Sequence, residues 1–516
     1  MAAGEVVVNR QTLAVALGTL AVVLIGGFLM YASPTPEGAR QPPPAANAVK
    51  AEKGKRVGES SHRHLNESKL VHEVAVPADR PAAPKDAPNV VVVFASTQRR
   101  DQWSVYGGPP TTTPYLAQQA AAGVKFTDAL SVSVEPRTAA GALITGRYPH
   151  RVGLVEPGEQ KNFRDLSPDA VTLAERLQAA GWFTVGGTAN HNLNERAGAA
   201  QGFDWYRDSQ PFSLMLEQRM DAAEVVTKAL ERVARRTEAE KARPLYLQLA
   251  FVDSHKPFKV PPEASKPFEN ADDPCDCAPY RATIKRMDDA VKQLVEGLTA
   301  QGLSPENTIF TVVADHGEGL DLPPAHRKQH GFVLYRSSVQ IPWVVWGKGV
   351  PAGKEAPGLA SQLDVAPTVA ALAGLKGQEG MDGLDLSAVV TSGAPSPRTE
   401  AYADTLYQGA HRASVWTTDR QCQKDYGSEL EEPDTFATGC HDRTADPDFT
   451  TIIADEALAA RLEELHTELM ASVGGAPAEA KSGKGAKGAK AKGDKAAKAK
   501  GGKAKGEGKA KAGDEG

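Results

Sequence analysis

Between residues 88 and 390, short apolar runs alternate with amphipathic stretches, the pattern of a largely parallel sheet covered by helices. The run Asn89-Val90-Val91-Val92-Val93-Phe94 is continuously apolar and β-branched, which predicts a strand buried on both faces. Further strands are expected at 182–186, 244–252, 308–314 and 341–346, and helices near 171–180, 213–236, 279–301 and 363–373. Thr113-Pro114 reads as an N-cap with proline at the first helical position, and Gly123 stops the helix it opens. A last helix is expected at 456–471. In open α/β sheets ligands sit beyond the carboxyl ends of the strands. Three strand ends therefore hold the candidate chemistry: Ala95-Ser96-Thr97-Gln98-Arg99-Arg100-Asp101, Asp253-Ser254-His255-Lys256-Pro257-Phe258 and Asp315-His316-Gly317-Glu318.

The two ends of the chain break this pattern. Residues 11–31 carry no charge and are long enough to cross a hydrocarbon core of roughly 30 Å. The stretch exceeds the apolar region of a cleaved signal peptide, and no small-residue cleavage site follows it, so an uncleaved signal anchor is expected at 12–31 behind a short segment at 1–11. Residues 32–87 are rich in Pro, Ala and charge and form a tether. The organisation expected after it is an α/β domain at 88–395, a small C-terminal subdomain at 396–473 and a structureless tail at 474–516. Charge near the span does not fix its orientation; a lone N-terminal span before a long domain points to an extracytoplasmic body on a single-pass membrane protein.

Charge divides the molecule further. The whole chain carries −5, but its Lys/Ala/Gly tail carries +8 from Lys481 onward, leaving −13 for the rest. Such an arm is drawn to anionic polymers, lipid headgroups or nucleic acid, or acts simply as a solubilising tail. Four cysteines are present. Cys422 and Cys440 are placed for a disulfide, with free thiols or a weak metal site as the alternatives, and the Cys275-Asp276-Cys277 loop is far short of a four-ligand metal set.

Read in order, many segments carry a resemblance: Pro88-Asn89-Val90 through Tyr106-Gly107, Thr113-Pro114 through Gly123 and Phe126, and Leu143-Ile144-Thr145-Gly146-Arg147-Tyr148-Pro149 through Gly153. Gly202-Phe203-Asp204, Asp253-Ser254-His255, Asp315-His316-Gly317-Glu318, His330-Gly331, Asp364-Val365-Ala366-Pro367-Thr368 and Gly383-Leu384 continue it. Together they resemble the sulfatase branch of the alkaline phosphatase superfamily over most of residues 88–470. The resemblance implies that family's fold, a mixed, largely parallel sheet sandwiched by helices with a small C-terminal subdomain. It also implies a chemistry in which a formylglycine, made from Cys or Ser in a C/S-x-P-x-R sequence, attacks sulfur while a divalent cation, calcium or magnesium, and cationic side chains hold the sulfate oxygens.

The resemblance fails at the residues that would do this chemistry. Counting back from Thr145 puts Pro136 at the nucleophile and Ala140 at the arginine, and aligning Pro136 with the motif's proline puts Val134 at the nucleophile instead. The later metal pair is present as Asp315-His316, but the Asp-Asp pair after the first strand falls on Ser96-Thr97. His255 matches the histidine that contacts the leaving oxygen, and His330 a further pocket position. Three readings follow: a membrane-anchored pseudoenzyme that binds a ligand or partner; a hydrolase or transferase using Thr138 as a substitute nucleophile, with zinc on Asp315, His316, His255 and His330; and an envelope scaffold acting through its basic tail. Each residue also has a structural reading, Asp315 as a turn acceptor, His255 as a loop histidine and Thr138 as a helix cap.

Overall fold

The computed structural model describes residues 71–155, 164–209, 220–270, 277–320, 330–430, 436–446 and 449–473. The expected anchor at 12–31, its preceding segment 1–11, most of the tether at 32–87, the tail at 474–516 and Cys275 lie outside the described residues. Among the described residues, no helix is long and apolar enough to cross a membrane.

Ten strands form the main sheet: β1 (Val71–Glu73), β2 (Asn89–Ala95), β3 (Val124–Leu130), β4 (Phe183–Thr188), β5 (Trp205–Arg207), β6 (Leu245–Phe251), β7 (Thr308–Ala314), β8 (Gln340–Ile341), β9 (Trp343–Gly347) and β10 (Lys354–Ser361). Their order is β1-β5-β4-β6-β2-β7-β9-β3-β10, with β8 paired to β3. From β5 through β7 neighbouring strands run parallel, while β1 and β9 run antiparallel to their neighbours. The sheet is therefore mixed and largely parallel, as expected.

β2 sits at its centre, and its side chains alternate between two apolar layers. Val90, Val92 and Phe94 face α2 (Pro136–Thr145), α3 (Leu173–Ala179) and α6 (Val365–Leu372) through Leu143, Ile144, Leu173, Leu177, Val365 and Val369. Val91, Val93 and Ala95 face α1 (Pro114–Ala121), α4 (Ala222–Ala234) and α5 (Ala278–Thr299) through Leu116, Val225, Val226, Ile284 and Met287. This is why the run reads as continuously apolar: each buried valine contributes about 1.5–3 kcal/mol whichever way it points.

A second sheet, β11 (Ala401–Thr405), β12 (Arg412–Trp416), β13 (Arg420–Asp425) and β14 (Gly439–Asp442), is antiparallel throughout and packs on α7 (Glu456–Ala471). Cys422 and Cys440 are paired in the β13–β14 register and joined by a disulfide. Cys277 is also disulfide-bonded.

Two of the motif segments hold the scaffold together. Asp204 receives both terminal nitrogens of Arg80, at 2.7 and 2.6 Å, and the Thr184 amide at 2.9 Å. Asp364 accepts from the amides of Ser361 and Leu384, at 2.8 and 2.7 Å, and from Arg398 Nε at 2.7 Å. Buried carboxylates so fully paired are structural, since losing one partner would leave an uncompensated charge.

Candidate functional site

Strand order decides where the chemistry collects. β2 lies between β6 and β7, and Ala95 is in register with both Phe251 and Ala314. The residues that follow, Ser96-Thr97, Asp253-Ser254-His255 and Asp315-His316, therefore emerge side by side at the carboxyl edge. The Asp315 carboxylate is buried and receives three hydrogen bonds: Ser96 Oγ donates at 2.9 Å, the Thr97 amide at 2.8 Å and the His316 amide at 2.7 Å. The Thr97 hydroxyl donates to the Ser96 carbonyl at 2.8 Å. Thr97 itself sits at φ 55°, a left-handed conformation that β-branched residues avoid and Asp or Asn tolerate better.

This arrangement does not fit calcium or magnesium. Either ion needs several anionic oxygens, and here the two flanking positions supply neutral hydroxyl groups that already donate, one to Asp315 and one to backbone. Nor do the histidines form a zinc shell. His316 Nδ1 is 2.8 Å from the Gly317 carbonyl, so it carries the proton and Nε2 keeps a buried lone pair 3.8 Å from Asp315 Oδ2, oriented as a ligand would be but with no companion nitrogen among the described residues arranged beside it. The His330 ring packs against the rings of His316 and His255, with centroids 4.6 and 5.0 Å apart, and its Nδ1 is taken by Glu318 at 3.1 Å. Among the described residues, no group of three or more His, Cys, Asp or Glu is arranged to hold a metal ion.

At the nucleophile position, α2 begins on Pro136, and the residue before it caps the helix. Glu135 is buried, and its carboxylate accepts from the Arg137 amide at 3.0 Å, the Thr138 amide at 2.8 Å and the Thr138 hydroxyl at 2.9 Å. A helix N-terminus attracts an anion, and here the chain supplies that anion itself. Val134 and Ala140 are fully buried in apolar surroundings. Thr138 Oγ1 also lies 2.8 Å from Ser133 Oγ and 3.1 Å from the Glu135 carbonyl, so the substitute nucleophile is a member of the cap.

Beyond these groups opens a cavity of about 650 Å³ lined by His255, Lys256, Pro257, Phe258, Glu318, His330 and Tyr407. Glu318 is the buried anion at its base. Burial pushes this carboxyl up, but His330 and the Gly319 amide outweigh burial and hold it at about 2. Burial likewise works against a charged His330, yet Glu318, with Asp315 and Glu135 adding, raises it above its ordinary value. His316 moves the other way, because burial lowers it and the Asp315 charge does not compensate. His255 Nδ1 contacts the Lys256 carbonyl at 2.7 Å.

The structure thus brings Ser96, Thr97, Asp315, His316, His255 and His330 together at one sheet edge. Sequence reasoning passed over Glu135 and the role of Glu318. Pro136 signals a helix start, but glutamate is outside the usual N-cap set, so Glu135 carried little signal of its own, whereas Glu318 closes the strand end Asp315-His316-Gly317-Glu318 and was open to detection. Tyr407 carried no signal, because it comes from the loop after β11, far along the chain.

Residues 88–375 match the sulfatase family model. Arylsulfatase A from Bos taurus is 27% identical over 380 residues, covering 62% of this chain and 71% of the relative. An ulvan-active sulfatase from Formosa agariphila is 24% identical, covering 70% and 76%. Among solved structures, the phosphonate monoester hydrolase of Agrobacterium radiobacter superposes with a TM-score of 0.57 at 17% identity, covering 75% of this chain and 95% of that one. An alkaline phosphatase superfamily protein from Vibrio parahaemolyticus gives 0.55 at 18%, covering 75% and 87%. At such identities the superpositions establish the fold alone.

Proposed function

The chain belongs to the sulfatase family, and from that premise we propose that it is a member without sulfate-ester hydrolysis, anchored to a membrane, whose strand-end pocket binds a ligand instead. The observation that carries this reading is Glu135. A sulfatase needs an empty, electropositive helix start where sulfate and nucleophile meet, and this helix start is occupied by the chain's own carboxylate. The Asp315 site supports it, with its carboxylate committed to three protein donors. Glu318 at the base of the pocket is balanced by His330 and faces Lys256, so these walls carry mixed charge and are not the cationic cradle a sulfate would call for.

Purified full-length protein should give no turnover of 4-nitrophenyl sulfate or 4-nitrophenyl phosphate above the buffer blank, with or without added calcium or magnesium. Turnover that disappears in Asp315→Ala would overturn the proposal. The competing hydrolase reading is favoured by one contact, the 2.9 Å hydrogen bond from Thr138 Oγ1 to Glu135, a hydroxyl beside a carboxylate base. Turnover lost in Thr138→Ala would select it.

A further inference from the structure

A second cluster of histidines lies away from the strand-end pocket, between the C-terminal sheet and α7. His466, on α7, is buried; His411, just before β12, is half-buried and reaches solvent. Their Nε2 atoms face each other at 3.2 Å. Two imidazole nitrogens at this separation either share one proton or share one ion. With metal–nitrogen bonds of about 2.0–2.1 Å, two ligands of one ion stand roughly 2.9 Å apart at a right angle and roughly 3.4 Å apart at a tetrahedral angle. The observed spacing falls between these limits.

The surroundings prepare His466 as a ligand. The Tyr402 hydroxyl donates to Asp404 Oδ2 at 3.2 Å, so its oxygen accepts from His466 Nδ1, 2.8 Å away. That hydrogen bond keeps the proton on Nδ1 and leaves the Nε2 lone pair directed at His411, the carboxylate-backed arrangement found behind metal-ligating histidines. Tyr426 stacks on the ring at 3.8 Å between centroids and fixes its plane.

We propose that His411 and His466 form a two-histidine site for a divalent transition cation of the Cu²⁺, Ni²⁺ or Zn²⁺ class, the ions that neutral imidazole suits. His411 gives up its Nε2 proton when the ion enters and takes one on Nδ1 from solvent, so no net proton is released. No third protein ligand joins them among the described residues, and water fills the remaining positions, which makes the ion exchangeable. The bound ion would pin α7 to the start of β12. The Asp404 carboxylate, behind Tyr402, also lies 2.9 Å from His150 Nε2, and its backbone forms an isolated β-bridge with Ser133 on the segment that leads to Glu135.

The test uses the full chain without an affinity tag, stripped with EDTA and titrated with CuCl₂ and, separately, ZnCl₂ by calorimetry. His411→Ala, at the half-exposed position, should lose one equivalent of copper relative to the wild type. The copper EPR spectrum should lose a two-nitrogen component, and the rise in Tm that zinc gives the wild type should vanish. Equal stoichiometry and affinity in the wild type and His411→Ala would make the pair an ordinary hydrogen bond and overturn the proposal. So would an unchanged zinc-dependent Tm.

Discussion

At the scale of single residues, the strand-end edge holds two features with measurable consequences. Thr97 keeps a left-handed backbone that costs about 1–3 kcal/mol for a β-branched residue. Thr97→Asn should therefore stabilise the protein by about 1 kcal/mol in urea unfolding, provided the amide bond to Asp315 persists. Glu318 and His330 behave oppositely with pH. Glu318 is held below its ordinary 4.5, so its contribution is present above that value and fades as pH falls toward 2. His330 is raised above its ordinary 6.5, so its contribution is complete below that value and is lost as pH rises through the raised one. The pair is strongest between about pH 4.5 and 6.5. Glu318→Gln should cost about 3–5 kcal/mol there and progressively less at alkaline pH, read from urea midpoints at pH 5.5 and 9. Ser96, Thr97 and Pro136 were legible as departures because the surrounding segments align. That Asp315 already accepts three protein hydrogen bonds was not, because an aspartate awaiting a metal and one bonded by three donors are the same letter.

At the scale of elements, the start of α2 is the decisive piece. Glu135 satisfies two amides that a metal-bound sulfate or a solvent anion would otherwise reach. Glu135→Ala should destabilise the fold by about 0.5–2 kcal/mol, the usual value of a cap. It should also free the helix start, so that sulfate raises Tm in the variant and leaves the wild type unmoved, a comparison made by thermal shift at constant ionic strength. The same scale shows which elements declare themselves. β2, β4, β6, β7, β9 and the helices α1, α3, α5, α6 and α7 fall where the apolar patterns put them, within a few residues. β3 and β10 went unforeseen because Lys125, Thr127 and Asp128 interrupt one and Pro357 and Gly358 the other. Their place in the sheet comes from pairing with each other, a tertiary choice that local propensity does not contain. β1 and β5, three residues each, are too short for any periodicity.

At the scale of the whole molecule, a layered core on both faces of the sheet is indifferent to what its carboxyl edge does, so the fold can persist while the edge loses one chemistry. The distribution of charge gives this body a second scale of behaviour. The region before Lys481 carries −13 and the region after it +8, on a chain whose 12–31 segment is apolar enough to span a bilayer. If the span anchors the protein, membrane association should survive carbonate and high salt and be abolished by deleting residues 12–31. The tail should act differently: binding of the anchor-deleted protein to anionic vesicles should fall steeply between low and physiological salt, because the Debye length shrinks to about 8 Å. Deleting 474–516 as well should remove that salt-dependent binding, since the remaining body is acidic and repelled by the same surface. Sedimentation with phosphatidylserine vesicles at two salt concentrations separates the outcomes. Undiminished binding after the second deletion would assign the contact to the body and leave the basic arm a solubilising tail.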